Sequence, residues 1–126
     1  MKQDIISNAL NEMMNVKRAG KNEVRIKHIS KVLKGILEMM KSAGVINFQI
    51  EDGKKPAAIV ELLKLNECRA IKPRYYVGIS EIEKYLKRYL PSRNFGTIII
   101  STNKGLMSHE EAESNKLGGA LIAYFY

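Results

Sequence analysis

The sequence has no tryptophan, a single cysteine, Cys68, and only two histidines, His28 and His109. One cysteine excludes an internal disulfide and any cysteine-rich zinc centre, and Cys68 is expected to be a buried or half-buried thiol. Neither histidine neighbours a cysteine, and no His-Glu-x-x-His spacing exists, so no metal site is expected. His109, in the opening turn of a capped helix, reads as a solvated turn residue rather than a general base. Glycine-rich phosphate cradles are missing as well. The order Ser101-Thr102-Asn103-Lys104-Gly105 is not the Gly-x-x-x-x-Gly-Lys-Ser/Thr loop of nucleotide hydrolases, and no Gly-x-Gly-x-x-Gly occurs. No catalytic residues and no cofactor are therefore expected. No apolar run approaches a bilayer span. The start, MKQDIISNAL, carries an acid by its fourth position and no signal-peptide core, so the expectation is a cytoplasmic protein without a membrane partner. Internal repeats and low-complexity segments are absent.

Positive charge is what the sequence has in excess. Lys and Arg number 21 against 13 acids, giving +8 and a pI near 9.6. A field of that sign favours polyanions. The charge is spread evenly: residues 1–63 hold 11 Lys/Arg and 7 acids, the remainder 10 and 6. No basic tail carries it, so a binding surface must be built on the folded body. At 126 residues, with 45% hydrophobic and 27% charged content, the chain is an ordinary globular protein of one unit or two small subdomains.

Hydrophobic periodicity predicts the elements. Ile5, Ala9 and Met13 lie on one helical row and Ile6, Leu10 and Met14 on the next, with Gly20 as the stop. EVRIK alternates like a half-buried strand, Val24 and Ile26 inward, Arg25 and Lys27 outward. A second helix runs from about Ser30, with Val32, Ile36 and Met40 on one row, Leu33 and Leu37 beside them, and Gly44 closing it. A hairpin follows: a strand to Glu51, a turn at Asp52-Gly53, a second strand from Ala57. Residues 66–80 predict a linker and one further strand. Ser80 and Glu83 form a capping box for a short helix, TIIIS is the next strand, and Ser108 with Glu111 caps another helix directly after the Ser101–Gly105 loop. GGALIAYFY ends the chain as a strand whose glycines bend or accept a close neighbour. The fold class is thus α/β (α+β) in two subdomains. Residues 1–66 give an N-terminal α-β-α-β-β subdomain, and residues 67–126 a C-terminal, mostly antiparallel β subdomain with short helices.

The Ser101–Gly105 loop supports two readings. Its hydroxyls, amide and lysine can contact base edges, sugars and phosphates of RNA, with Gly105 admitting close approach. Alternatively it is a turn that satisfies its own backbone. Basic clusters favour the first. Residues 16–34 hold seven Lys/Arg against one acid. A second group comprises Lys72 and Arg74 near Tyr75 and Tyr76, then Lys84, Lys87, Arg88 and Arg93. Cations interleaved with tyrosines suit phosphate neutralisation plus base stacking. A phosphate-handling enzyme and a general basic scaffold are the rival readings.

STNKG followed by LMSHEEA, then LGGALIAYFY at the C-terminus, resembles the small-subunit ribosomal protein eight family. LPSRNFG and SHEEA are closer to its archaeal and eukaryotic branch, and the resemblance spans the chain. It implies a non-enzymatic, cytoplasmic ribosomal protein, monomeric when free. Such a protein binds small-subunit rRNA in its central domain, promotes subunit assembly and adjoins other small-subunit ribosomal proteins. By this resemblance Ser101, Thr102, Asn103, Lys104 and Gly105 contact RNA, together with Gly118, Gly119 and Tyr124, while Arg18, Arg25 and Lys31 resemble backbone contacts. The bacterial form usually has Ser at the position of Asn103 and Gly-Gly-Glu where this chain has Gly118-Gly119-Ala120. Asn103 keeps polar reach; Ala120 cannot hydrogen-bond through its side chain.

Overall fold

Asp4 opens the first helix by accepting a hydrogen bond from the Ser7 amide at 3.0 Å, and α1 (Ile5–Arg18) runs from it to a stop at Gly20, whose φ is +79°. Ser30 does the same for α2 (Lys31–Ser42), accepting from the Leu33 amide at 3.1 Å. The computed structural model describes residues 4–92 and 94–126, and the chain divides into two units, Met1–Cys68 and Arg69–Tyr126.

In the first unit, α1 and α2 pack against a three-stranded antiparallel sheet of order β1-β3-β2, made by β1 (Glu23–Ile26), β2 (Ile46–Glu51) and β3 (Ala57–Leu62). Val24 and Phe48 both pair with Val60, and Ile26 and Ile50 with Ala58, so one face of the sheet is apolar by strand alternation. The α-β-α-β-β order is the one the periodicity predicts. One row differs: Val32 is exposed, and the buried stripe of α2 is Leu33, Ile36, Leu37 and Met40. That spacing of three, four and seven fills the helix face, and Val32 falls at its margin.

The second unit holds a five-stranded sheet covered on one face by helices. Its order is β4 (Cys68–Ala70), β8 (Gly119–Phe125), β6 (Thr97–Thr102), β7 (Gly105–Ser108), with β5 (Tyr76–Val77) also paired to β8. Val77, Ile82, Leu86, Ile98, Ile100, Met107, Ala112 and Leu121 form its core with α3 (Ile82–Tyr89) and α4 (His109–Ser114). Burying each large aliphatic side chain of that set contributes about 1.5–3 kcal/mol. The α+β class expected from sequence is thus the class observed.

Three local expectations are corrected here. Residues 66–80 hold two short strands, not one. Ser80 does not cap α3; a 3₁₀ turn (Ile79–Glu81) precedes the helix, and Glu81 Oε1 accepts from the Gly78 amide at 3.2 Å, because burial of Ile82 and Leu86 sets the helix phase. The segment after Thr102 is not a loop leading straight to a helix: Gly105–Ser108 is a strand, and α4 starts only after it, capped by Ser108 accepting from the Glu111 amide at 3.2 Å.

Candidate nucleic-acid interface

Ser101 and Thr102 end β6, and Gly105 begins β7, so Asn103 and Lys104 alone form the tip of a tight hairpin. Gly105 has φ +109°, a region that side chains disfavour, and nothing would meet a Cβ there within 4 Å. Thr102 Oγ1 donates to the Gly105 carbonyl at 2.9 Å and accepts from the Lys104 amide at 3.1 Å. Its hydroxyl holds the turn. The self-satisfied reading of this loop therefore applies to Thr102. Among the described residues, no hydrogen bond or ion pair engages the side chains of Ser101, Asn103 or Lys104. Ser101 is half-buried; Asn103 and Lys104 are exposed. The hairpin thus presents a hydroxyl, an amide and an ammonium from a scaffold fixed by Thr102 and Gly105.

The glycine pair supports this hairpin from below. A Cβ on Gly119 would run into the Ser101 carbonyl, 2.9 Å from its carbon, and one on Gly118 would lie 2.5 Å from the Val77 carbonyl oxygen. The close neighbours that the sequence anticipates at these glycines are the chain's own strands β6 and β5. Gly119 is buried. The closeness of Gly119 positions Ser101, and that of Gly118 positions Val77.

The remaining expected contact residues divide. Tyr124 is buried at 8% exposure, and its ring stacks between Tyr89 at 5.3 Å and Tyr126 at 6.2 Å, so its faces are occupied. Tyr75, Tyr85 and Tyr89 continue the same series of rings, with Arg88 5.8 Å from the ring centres of Tyr75 and Tyr89. Arg74 is exposed beside this series. Arg93 lies outside the described residues. In the first unit, Arg18 is exposed and its guanidinium lies 3.4 Å from Asn15 Oδ1. Arg25 is ion-paired to Glu51 at 2.9 Å, both side chains about half exposed. Lys31 is exposed at the first position of α2. A phosphate approaching Arg25 meets an occupied guanidinium, unlike Lys31.

His109 departs from its expected solvated position. It is 3% exposed, and its Nδ1 accepts from the Ile98 amide at 3.1 Å. Burial lowers its pKa below the ordinary 6.5, against the pull of the Glu110 and Glu113 carboxylates. Sequence spacing could not find this role, because the donor is 11 residues away on strand β6. Among the described residues, no group of three or more His, Cys, Asp or Glu could hold a metal ion, and no helix is long and apolar enough to cross a membrane.

The sequence model of the family described as ribosomal protein S8 matches residues 4–126. Small ribosomal subunit protein uS8 of Nanoarchaeum equitans (strain Kin4-M) is 43% identical over 129 residues, covering 100% of this chain and 100% of that relative.

Proposed function

The chain belongs to the ribosomal protein S8 family, and from that membership we propose that it is a structural, non-enzymatic constituent of the small ribosomal subunit. It binds small-subunit rRNA directly in the central domain, promotes assembly there, and adjoins neighbouring small-subunit proteins. It works on cytoplasmic ribosomes and is a monomer when free. The C-terminal subdomain makes the specific contacts. The observation that carries this reading at the site is the β6–β7 hairpin, whose Ser101, Asn103 and Lys104 side chains have no partner among the described residues while Thr102 and Gly105 hold them in place.

The mechanism has two parts. Lysines and arginines, Lys104, Lys31, Arg74 and Arg18 among them, neutralise phosphates and supply salt-dependent affinity. Ser101 and Asn103 read base edges and sugar hydroxyls in a wide, shallow groove, where short polar side chains reach. Gly118, Gly119 and Tyr124 act behind that surface, setting where the hairpin stands.

Binding to fragments of small-subunit rRNA, titrated with salt against an equal mass of tRNA, tests the reading. One structured fragment is expected to stay bound in excess tRNA. Binding that tRNA abolishes would leave only a general basic scaffold. Lys104→Ala is expected to weaken binding about tenfold and reduce the salt slope by about one. Thr102→Ala is expected to reduce preference for the cognate fragment with the salt slope unchanged, because it loosens the turn without removing charge; Thr102→Ser restores that preference. Equal salt slopes for Lys104→Ala and the parent protein would remove Lys104 from the interface.

A further inference from the structure

Tyr76 is the most exposed large hydrophobic residue described in the chain, at 78%, and the strand register decides where it points. It pairs with Ala120 on β8, and Ala120 pairs on its other side with Ser101 on β6. Residues directly opposite in an antiparallel sheet share a face, so Tyr76, Ala120 and Ser101 form one row. Two strand spacings separate its ends, about 10 Å. Alternation along β5 agrees. Val77 is fully buried in the helix-covered core and Tyr75 packs against that core, whereas Tyr76, between them, faces the opposite way. Ile100 and Leu121, next to Ser101 and Ala120, are likewise in that core, which puts the row on the other face of the sheet.

The glycines explain why the row is narrow. Gly118 admits the Val77 carbonyl and Gly119 the Ser101 carbonyl, so β5 and β6 close on β8 from both sides where Tyr76 and Ser101 stand. The residue between them is Ala120, whose methyl leaves the floor low and apolar. The row also leads into charge: Arg74, two residues before Tyr76, and Lys104, three after Ser101, are both exposed. Tyr76 takes part in none of the ring contacts that engage Tyr75, Tyr85, Tyr89, Tyr124 and Tyr126. An unengaged aromatic ring, a low apolar floor, a hydroxyl at the far end and cations flanking both ends match what an unpaired nucleotide needs: a stacking face, hydrogen bonds and a neutralised phosphate.

Resting on the rRNA-binding reading above, we propose that Tyr76 is a stacking platform for a splayed RNA base, placed so that the same stretch of RNA reaches Ser101 across Ala120. Stacking is sequence-tolerant because every base has a π face, so Tyr76 adds affinity at an unpaired position while the hairpin supplies discrimination.

The test compares the full-length protein with Tyr76→Ala, Tyr76→Phe and Lys104→Ala. Each binds the small-subunit rRNA fragment that survives tRNA competition and, separately, the same fragment with its unpaired residues closed into base pairs. Tyr76 is exposed, so all variants are expected to melt with the parent. Tyr76→Ala is expected to lose about 5- to 150-fold in affinity for the native fragment with an unchanged salt slope. Tyr76→Phe keeps the ring and binds like the parent, and the base-paired fragment abolishes the difference between alanine and tyrosine. Two results overturn the proposal: Tyr76→Ala binding the native fragment as tightly as the parent, or Tyr76→Phe losing as much as alanine. If Lys104→Ala still weakens binding in either case, the rRNA-binding reading stands without Tyr76. If the parent protein shows no preference for any rRNA fragment over tRNA, that reading fails, and the stacking platform with it.

Discussion

Gly119→Ala is expected to lower the thermal midpoint by roughly 10 °C or more and to weaken rRNA binding with it. The alanine methyl would collide with the Ser101 carbonyl, which is backbone in a paired strand, and would also come within 3.0 Å of Ile100 Cγ2. No rotamer change relieves a clash with a main-chain carbonyl, so β6 or β8 must move. Overpacking of this kind costs about 1–3 kcal/mol, occasionally more, and the upper end applies where nothing flexible can give way. A loss of about 3 kcal/mol corresponds to about 12 °C or more in a domain of up to about 100 residues. Either movement changes where β6 stands against β8, and β6 carries Ser101 and leads into the hairpin, so the side chains of Ser101, Asn103 and Lys104 are displaced too. Gly53→Ala is the control, because nothing would meet a Cβ at Gly53 within 4 Å. If calorimetry finds Gly119→Ala and Gly53→Ala melting together, the closeness of β8 to β6 is not obligatory and the glycine pair needs another explanation.

How much of this was legible in the sequence depends on how local the deciding interaction is. The first unit was readable because its signals are short-range: three- and four-residue spacing in α1, alternation at Val24 and Ile26, stops at Gly20 and Gly44, a turn at Asp52-Gly53. The second unit hid more. β7 is only Gly-Leu-Met-Ser, too short to alternate, and it is a strand because β6 lies beside it. Ser80 looked like a cap, but the buried pair Ile82 and Leu86 set the helix phase, and the Glu81 carboxylate accepts from the backbone amide of Gly78, a residue with no side chain to read. The candidate site was legible as a set of residues and not as a division of labour. Motif resemblance places Ser101 to Gly105 together, yet only the hydrogen bonds separate Thr102, which builds the turn, from Asn103 and Lys104, which project from it. The glycine pair announced a close neighbour; that the neighbours are β5 and β6 follows from sheet order, which no window of sequence contains. Tyr76 was grouped with Tyr75 by adjacency, although strand alternation sends their rings to opposite faces.

His109→Ala is expected to cost about 3 kcal/mol, and His109→Gln to flatten the dependence of stability on pH between about 5 and 7. The alanine change removes the imidazole nitrogen that accepts from a buried amide, Ile98 N–H. A buried donor left unsatisfied costs about 1–3 kcal/mol, and the space vacated by a ring that is 3% exposed adds a cavity. The pH dependence follows from which form makes the bond. Nδ1 accepts from Ile98, so the folded state holds neutral imidazole with its proton on Nε2; an imidazolium would turn a donor toward a donor. Burial lowers the folded pKa below 6.5, while Glu110, 3.9 Å from Nε2 but itself 80% exposed, and Glu113 pull the other way without reversing the shift. In the unfolded chain the pKa returns to about 6.5. Above that pH both states are neutral and the contribution is complete. As pH falls through about 6.5 the unfolded chain takes up a proton first, so stability declines until the folded pKa is reached. Glutamine cannot titrate, so its midpoint is expected to fall less than the parent's from pH 7 to pH 5. Parallel midpoints across that range would mean that His109 is accessible enough to charge without cost, and that the Ile98 bond does not hold α4 against β6.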